Sequence, residues 1–385
     1  MRIFHVSDCY APRTGGIESQ VRDLARAQVA QGHEVHVLTA TKGADGAHGG
    51  RVEDDGGVVV HRLGMPLPFD LPVNPAAPPH VRALVRRAHP DVVHVHAGVV
   101  SPFAFDGARV ALAEGLPLAV TWHCMLDGAV PAMRTVIRRT AWGSAPVALS
   151  AVSHAAAGRV KDAFGARVDV LPNGMDLERW APSADVPGTP RDLRRHEGPL
   201  RCVATMRLAP RKRGPALVGV VEDALTQLEP GMLRLDVLGD GPARSTMARR
   251  VERRGMADVV HLHGRVERAR VRDLYEDSEV FVAPAVLEAF GIAALEARTA
   301  GLVVVARRGT GIEEFVEDGR DGLLVDSDAG MARALVRLAT EPELLRRLRG
   351  YSRAHRPVFD WPHALAAADA QYERAQALRG APTSG

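Results

Sequence analysis

Two carboxylates, Glu288 and Glu296, stand eight positions apart around a turn made by Phe290 and Gly291. The pattern predicts a helix over residues 292–300, with Glu288 in the loop before it and Glu296 about one turn inside it. The first turn of a helix presents unpaired N–H groups and a positive dipole end, which bind phosphate or hydroxyl groups. Carboxylates also accept hydrogen bonds from hydroxyls. The turn is therefore a candidate binding site, although solvated glutamates beside a capped surface helix give the same pattern.

A cluster of cations follows the predicted strand over residues 201–205. It contains Arg207, Arg211, Lys212 and Arg213. Ligands of α/β proteins bind at the carboxyl ends of parallel strands, and a diphosphate bound there needs positive charge. Most charge runs are only solvated surface, but the position of this one favours a functional interpretation.

Gly15 and Gly16 precede a predicted helix over residues 17–31, directly after the first predicted strand. Glycines at this point let the backbone approach a ligand and leave the amides at the helix start free. The turn is not the GxGxxG of dinucleotide-binding folds, and the turn at 239–242 also lacks that spacing. Taken alone, a plain Gly-rich turn fits the pattern better than a binding site.

His123 follows the predicted strand over residues 118–122 and should lie at its carboxyl end. A neutral imidazole there can hydrogen-bond a hydroxyl or a carbonyl. His94 and His96 end the preceding predicted strand, and their spacing suggests a metal. No third ligand or carboxylate partner is evident, so we predict no metal site. The Asp-Ser-Asp at 326–328 predicts a helix cap rather than a metal–diphosphate clamp.

The composition indicates a globular protein of two domains, with 385 residues, 46% hydrophobic and 25% charged. A net charge of +3 gives no strong field, so nucleic-acid binding is not predicted. Cys9, Cys124 and Cys202 form no CxxC pair, which favours a reducing compartment. Neither a signal peptide nor a run of the ~20 apolar residues that span a bilayer is evident. We expect a cytoplasmic protein, free or peripheral at the inner face of the membrane.

Strand-like runs alternate with helical patterns in two series, which predicts α/β domains with doubly wound parallel sheets. The predicted strands cover 3–6, 34–39, 58–62, 92–95, 118–122, 147–152, 201–205, 234–238, 259–262, 280–283, 303–306 and 322–325. We expect two Rossmann-like domains, 1–180 and 200–355, joined by a linker over 181–199 and facing each other across a cleft. A helix within 356–385 should pack back towards the first domain and end in a frayed tail. The loops at 42–57 and 64–80 should be mobile.

In combination these motifs resemble the retaining GT-B glycosyltransferases, particularly glycosyltransferase family 4 (glycosyl transferases group 1). The resemblance covers nearly the whole chain, and its specificity comes from the set rather than from any one motif. It rests on the segments 15–18, 151–153, 173–176, 207–212, 239–242 and 288–296, together with His123.

The resemblance implies a nucleoside-diphosphate sugar on the second domain and an acceptor on the first. Its implied contacts are Arg207 and Lys212 to the diphosphate, Gly15 and Gly16 closing over it, Glu296 to the ribose, Glu288 and the Phe290, Gly291 and Ile292 segment to the donor sugar, His123 to the sugar, and Arg265 and Val266 to the base. Of these, His123, Arg207, Lys212 and Glu288 would serve the reaction.

The implied activity is retaining transfer of a hexose-type sugar from a UDP- or GDP-sugar to a hydroxyl acceptor. Family members are expected to use front-face attack, without a metal and without a further cofactor. The acceptor is open among lipid, sugar, inositol and natural product, and the oligomeric state is also open. A nucleotide-sugar epimerase or phosphorylase of the same fold, and a non-catalytic partner subunit, are the alternatives.

Three departures from the family pattern are Ala285 for a usual Ser, Arg298 for a common Met, and an altered Gly-Gly-x-x-Glu turn at 309–314. None removes a residue that is expected to act in the reaction. The basic amphipathic stretch at 131–142 fits a helix on a membrane surface, but a core helix with arginines on its wet side fits better. Peripheral membrane contact is therefore a secondary expectation.

Overall fold

The chain forms two compact units. A computed structural model describes residues 1–13, 15–46, 49–67, 71–182 and 198–380. The first unit is Met1–Met175 together with the chain from Phe359 onward, and the second is Asp176–Val358. Most of the predicted linker, the predicted frayed end, and parts of the loops at 42–57 and 64–80 lie outside the described residues.

The first unit contains an eight-stranded sheet in the order β3-β4-β2-β1-β5-β6-β7-β8. Every neighbouring pair is parallel except β3 and β4. Its strands are β1 Arg2–Ser7, β2 Glu34–Thr39, β3 Arg51–Asp54, β4 Val59–Arg62, β5 Val92–Ala97, β6 Leu118–Trp122, β7 Val147–Ala151 and β8 Val168–Val170. The predicted strands of this unit are confirmed, while β3 and β8 were not predicted.

The prediction that residues 42–57 form a loop was wrong for β3. This strand pairs antiparallel with β4 at the edge of the sheet and buries none of its residues fully. Its sequence, Arg-Val-Glu-Asp, therefore lacks the apolar alternation that marks a half-buried strand. The pairing with β4, rather than burial, holds it in place.

Helices cover both faces of this sheet. They are α1 Gly16–Ala30, α2 Ala77–Ala88, α3 Pro102–Ala113, α4 Val130–Arg139, α5 His154–Phe164 and α13 Trp361–Gly380. Ile3 belongs to the core cluster that includes α13, whereas a side chain at Gly107 of α3 would meet Val6. Because Ile3 and Val6 point to opposite faces of β1, α13 and α3 cover opposite sides of the sheet.

The last helix, α13, is part of the first unit. Leu365, Ala368 and Tyr372 on this helix share a buried core with residues of β1, β5, β6 and β7. Beside these apolar residues, Gln371 and Arg374 bind the Asp169 carboxylate at 2.8 and 2.7 Å. The helix is thus fixed by apolar packing and by polar contacts at its edge.

The second unit contains a six-stranded parallel sheet in the order β11-β10-β9-β12-β13-β14. Its strands are β9 Leu200–Thr205, β10 Leu233–Leu238, β11 Val260–Gly264, β12 Val280–Ala283, β13 Val303–Arg307 and β14 Gly322–Val325. Its helices are α6 Leu177–Trp180, α7 Gly214–Leu225, α8 Arg244–Arg253, α9 Arg268–Glu276, α10 Ile292–Thr299, α11 Asp328–Thr340 and α12 Pro342–Ala354. All six predicted strands of this unit are confirmed.

The stretch at 131–142 forms α4 and the turn after it. Ile137 is the buried residue of this helix, while the Val136 side chain is 54% exposed. The Trp142 ring packs edge-on against Phe105, with ring centroids 6.4 Å apart. In the described part of the chain, no helix combines the length and the apolar character needed to cross a bilayer.

Arg298, the departure from a common Met, makes a buried polar anchor for α10. Its guanidinium donates to Asp321 at 2.8 Å and to the Ser352 carbonyl and hydroxyl at 2.6 and 2.9 Å. A further bond at 2.8 Å reaches the carbonyl of His355. The anchor connects the helix that follows the Phe290 turn to the end of α12.

We expect Arg298→Met to lower the free energy of unfolding by about 3 to 5 kcal/mol, because it leaves the buried Asp321 carboxylate without its cation. Urea unfolding followed by circular dichroism measures this change. Arg308→Met is the matched control, since Arg308 pairs with Asp318 at the surface and its loss should have little effect. Equal effects of the two substitutions would contradict the anchoring role.

Candidate functional site

The predicted site residues of the second unit lie at the carboxyl ends of its parallel strands. Arg207 and Lys212 follow β9, Arg265 and Val266 follow β11, and the 288–296 segment follows β12. Because β9 is hydrogen-bonded to β12, the cationic turn and the segment with both glutamates are neighbours in space. The sheet therefore brings together groups that are about 80 residues apart in sequence.

Lys212 and Glu288 form an ion pair. The two side chains are 23% and 18% exposed, so both are largely shielded yet still reach the surface. The Glu288 carbonyl also accepts a hydrogen bond from the Gly311 amide at 2.8 Å. The sequence predicted both residues for the site but not that they contact each other.

A left-handed residue sets the turn between Glu288 and α10. Gly291 has φ +92°, and a Cβ there would lie 2.7 Å from the Ile312 side chain. Gly311 approaches the turn so closely that a Cβ would lie 2.0 Å from the Ala289 carbonyl oxygen. Both glycines are needed for the turn to pack in this way. The altered turn at 309–314 therefore still supports Phe290, whose buried ring packs on Phe315.

The start of α10 has no side-chain cap among the described residues. Gly291 occupies the N-cap position, and Ile292 is the first helical residue. A short helix that begins without a capping oxygen leaves backbone N–H groups and the positive dipole end available. An anion or a polarised hydroxyl can occupy that position.

Glu296 lies one turn into α10, where burial raises the pKa of its carboxyl to about 7. Arg268 and Arg179 oppose this effect without forming an ion pair with it in the described structure. Within the same part of the chain, the carboxylate also has no hydrogen-bond donor. A half-buried carboxylate without a donor of its own can accept hydrogen bonds from a ligand's hydroxyl groups.

The cations of the turn after β9 have different environments. Arg207 and Arg211 are exposed, and no contact within the described residues occupies their guanidinium groups. Arg213 instead forms a bidentate ion pair with Asp328 at 2.8 and 2.7 Å. The predicted helix cap at 326–328 is confirmed, because Ser327 accepts from the Gly330 amide at 3.0 Å. The cluster is therefore partly structural.

Arg265 and Val266 form the loop between β11 and α9. The Arg265 side chain is exposed and Val266 is half-buried. The Gly264 carbonyl before them accepts from the Gly239 amide at 2.7 Å, which joins the loops after β11 and β10. These two residues make no described contact with Lys212 or Glu288.

In the first unit, Gly15 is the N-cap residue of α1 and Gly16 is its first residue. The Glu18 carboxylate folds against this helix start, so that a Cβ at Gly15 would lie 2.2 Å from its Oε2 atom. Arg13 lies 3.5 Å from the same carboxylate. The negative side chain thus occupies the positive end of the helix, a position that also suits an anionic ligand.

His123 follows β6, and its backbone N–H donates to the Ala97 carbonyl at 2.9 Å. Its Nε2 atom lies 3.0 Å from Nδ1 of His96, and the half-buried ring lines a small cavity with Gln20 and Gly174. Burial lowers the pKa of His123 to about 4, so the ring is neutral at physiological pH. The sequence did not predict the His96 contact.

The reason given from the sequence for expecting no metal was wrong. His5 is a third potential ligand beside His94 and His96, and ring nitrogens of the three lie within 4.8 Å of one another. All six nitrogens, however, already have hydrogen-bond partners. The absence of a metal stays a prediction, now on the ground that the ring nitrogens are occupied.

Two family models together match most of the chain. Glycosyltransferase Family 4 matches residues 14–179, and Glycosyl transferases group 1 matches residues 190–355. A D-inositol 3-phosphate glycosyltransferase of Xylanimonas cellulosilytica is 30% identical over 411 residues, which covers 98% of this chain and 96% of that protein. The chain belongs to glycosyltransferase family 4. It is a group 1 glycosyltransferase.

Other relatives of this glycosyltransferase agree with the assignment. A GDP-mannose-dependent alpha-(1-6)-phosphatidylinositol monomannoside mannosyltransferase of Mycobacterium tuberculosis is 29% identical over 344 residues, covering 84% of this chain and 85% of that one. The crystal structure of Anabaena HepE in complex with UDP and glucose superposes with a TM-score of 0.71 at 20% identity, covering 96% and 99% of the two chains. This likeness shows the GT-B fold.

We expect Glu296→Gln to raise the free energy of unfolding at pH 8 by up to about 3 kcal/mol. With a folded pKa near 7 against an ordinary value of 4.5, the carboxyl stabilises the fold below pH 4.5. That stability is lost as the pH rises through 7, because an ionised group then stays buried. Urea unfolding at pH 5 and pH 8 measures the difference, which should shrink at pH 5. Glu229→Gln, at an exposed site, is the control, and an equal gain there would contradict the prediction.

Proposed function

We propose that this glycosyltransferase transfers a hexose-type sugar from a nucleoside-diphosphate sugar to a hydroxyl acceptor with retention of configuration. The observation that supports the proposal most strongly is the Lys212–Glu288 ion pair beside the uncapped start of α10. A cation, a carboxylate and the backbone amides of an uncapped helix start at one sheet edge match the diphosphate and the hydroxyl groups of such a donor. Glu296, without a partner of its own in the described structure, adds an acceptor for the ribose hydroxyls.

Each predicted site residue has a role in this proposal. Lys212 and Arg207 bind the diphosphate, Glu288 and the amides of Phe290, Gly291 and Ile292 bind the donor sugar, Glu296 binds the ribose, Arg265 and Val266 contact the base, Gly15 and Gly16 approach the diphosphate, and His123 binds a sugar hydroxyl. Donor binding must break the Lys212–Glu288 ion pair, or each side chain must contact the ligand while it stays paired, because both side chains then bind the donor.

In the proposed reaction, the acceptor oxygen forms a bond to the anomeric carbon on the face from which the diphosphate departs. The bond between that carbon and the leaving phosphate oxygen breaks, and its electron pair stays on the diphosphate. The departing oxygen takes the proton of the acceptor hydroxyl. Negative charge grows on the leaving group, so fixed cations and amides lower the barrier, by about 2 to 4 kcal/mol for each good contact.

Because Lys212, Arg207 and the helix start supply the positive charge, we propose a reaction without a metal ion or a further cofactor. Turnover in excess EDTA should equal turnover in magnesium. A requirement for a divalent cation would show that the protein's own charges are insufficient.

The acceptor that we propose to test first carries an inositol ring. The relatives above are named for D-inositol 3-phosphate and for phosphatidylinositol monomannoside as their acceptors. The former is a small water-soluble molecule and the latter is a lipid. Assays with both acceptors, each with UDP- and GDP-sugars, separate these possibilities, after a thermal-shift screen has identified the nucleotide sugar that raises the melting temperature.

We expect Lys212→Ala and Glu288→Ala each to reduce turnover at least about a hundredfold while the protein stays folded. Arg211→Ala is the matched control. This exposed residue belongs to the same turn, and within the described residues it contacts neither Lys212 nor Glu288. Its loss should change turnover only a few-fold. Steady-state kinetics and circular dichroism of the three variants measure this, and near-wild-type rates for Lys212→Ala and Glu288→Ala would refute the site.

Incubation with the nucleotide sugar alone tests the alternative reactions. An epimerase converts its donor without any acceptor, and a phosphorylase requires inorganic phosphate. A transferase requires a hydroxyl acceptor for rapid turnover. Absence of turnover with every donor and acceptor pair would favour a non-catalytic partner subunit.

We also propose peripheral membrane contact through the exposed face of α4, which carries Val136 beside Arg134, Arg138 and Arg139. Liposome flotation should then increase with the content of anionic lipid. Arg138→Glu should weaken it, whereas Arg333→Glu on the exposed face of α11 should not. Flotation that is independent of anionic lipid would exclude this role for α4.

A further inference from the structure

A continuous row of buried polar side chains crosses one face of the first sheet. His5 on β1 pairs in register with His94 on β5, and Thr121 on β6 pairs with Ser150 on β7. Gln28 of α1 and Tyr372 of α13 cover this face and complete the row. The site proposed above uses only His123, which lies at one end of this row.

The contacts form one unbranched chain. From His123 it runs through His96 at 3.0 Å, His5 at 2.9 Å, Gln28 at 2.7 Å, Tyr372 at 2.8 Å, His94 at 2.9 Å, Thr121 at 2.7 Å and Ser150 at 2.8 Å. Ser150 then donates to the Val120 carbonyl at 3.4 Å. Every contact between members joins ring, amide or hydroxyl atoms of their side chains.

Every imidazole in the chain carries a single N–H. Burial lowers the pKa of His5 and of His123 to about 4, and lowers the pKa of His94 and His96 far below the usual range. A neutral ring donates through one nitrogen and accepts through the other. The direction of one hydrogen bond therefore fixes the direction of the next.

Gln28 sets the direction towards His123. Its carbonyl oxygen faces Nε2 of His5, so that nitrogen carries the proton and Nδ1 accepts. His96 must then donate through Nε2 and accept through Nδ1, which leaves His123 to donate through its own Nε2. The Nδ1 atom of His123 has no proton and accepts hydrogen bonds.

The other half of the chain selects the same orientation of Gln28. Its amide nitrogen donates to Tyr372, Tyr372 donates to His94, and His94 donates through Nε2 to Thr121. Thr121 donates to Ser150, whose own proton is then free for the Val120 carbonyl. If the amide were reversed, Ser150 would have to donate to Thr121 and the last bond would be lost. The orientation with the Gln28 carbonyl towards His5 satisfies one more bond.

We propose that Gln28 and Tyr372 are positioning residues that hold His123, through His5 and His96, as its Nε2–H tautomer. Nδ1 of His123 is thereby presented as an acceptor for a donor-sugar hydroxyl, a role that rests on the function proposed above. Through Tyr372, helix α13 thus determines which ring nitrogen of His123 carries the proton. Metal binding by His5, His94 and His96 is the competing use of the same nitrogens.

Nitrogen NMR of the full-length protein with ¹⁵N-labelled histidine tests the tautomer without reference to activity. The signals of His123 are assigned by their loss in His123→Asn. In the wild type, its Nε2 should be protonated and its Nδ1 bare. In Tyr372→Phe the Gln28 amide is free to reverse, so His123 should become a mixture of tautomers.

Tyr10→Phe is the matched control. It removes a buried hydroxyl that donates to Asp55 at 2.9 Å and takes no part in the hydrogen-bonded row that ends at His123. It should leave the signals of His123 unchanged. If Tyr372→Phe does not fold, Gln28→Met removes both contacts at similar volume and allows the same measurement. In an active preparation, Tyr372→Phe should lower kcat/KM for the donor about three- to tenfold, mainly through KM, and Tyr10→Phe should not.

The outcomes separate this inference from the proposed function. A single unchanged tautomer in Tyr372→Phe, or a wild-type His123 protonated on Nδ1, overturns the inference even if sugar transfer is normal. Detection of one bound metal ion per protein molecule in the wild type, with its loss in His94→Gln, also overturns the inference. A mixed tautomer in an inactive protein confirms the positioning of His123 while the transferase proposal fails.

Discussion

The parallel pairing of strands is the constraint on which the molecule depends. A parallel neighbour can be reached only by a crossover that passes over a face of the sheet, so helices cover both faces of the first sheet and all strand ends of one kind share an edge. The second sheet is wholly parallel. Parallel pairing also places charged groups together. The loops after the neighbouring strands β9 and β12 carry Lys212 and Glu288, which meet at the carboxyl-end edge of this sheet.

The two glutamates at that edge of the second sheet have different electrostatic environments. Lys212 and Glu288 neutralise each other, so neither charge is left exposed without a partner. Glu296 instead keeps a partly buried carboxylate at the cost of a raised pKa. The ion pair satisfies both of its charges, whereas burial disfavours the ionised form of Glu296. Sites that retain such a cost usually do so for binding rather than for folding.

The sequence predicted the elements better than the contacts between them. Buried parallel strands are apolar runs, which is why β12 was predicted to the residue, whereas the edge strand β3 has no buried face and gave no signal. The positions of Glu288 and Glu296 followed from local helix chemistry. Their environments did not, because the pairing with Lys212 and the burial of Glu296 depend on strand order. The role of Arg298 was equally hidden, since Asp321 and Ser352 approach it only in the folded chain.

The placement of α13 in the first unit also orders events during synthesis. The chain from Phe359 onward leaves the ribosome after the whole of Asp176–Val358, although it completes the core that contains Ile3, Val92 and Ala119. The core of the unit translated first is therefore complete only after the other unit has emerged. The first unit thus departs from the usual order in which an amino-terminal domain finishes folding before its successor is made. Nascent chains should expose the part of that sheet face which α13 covers until the last helix has been translated.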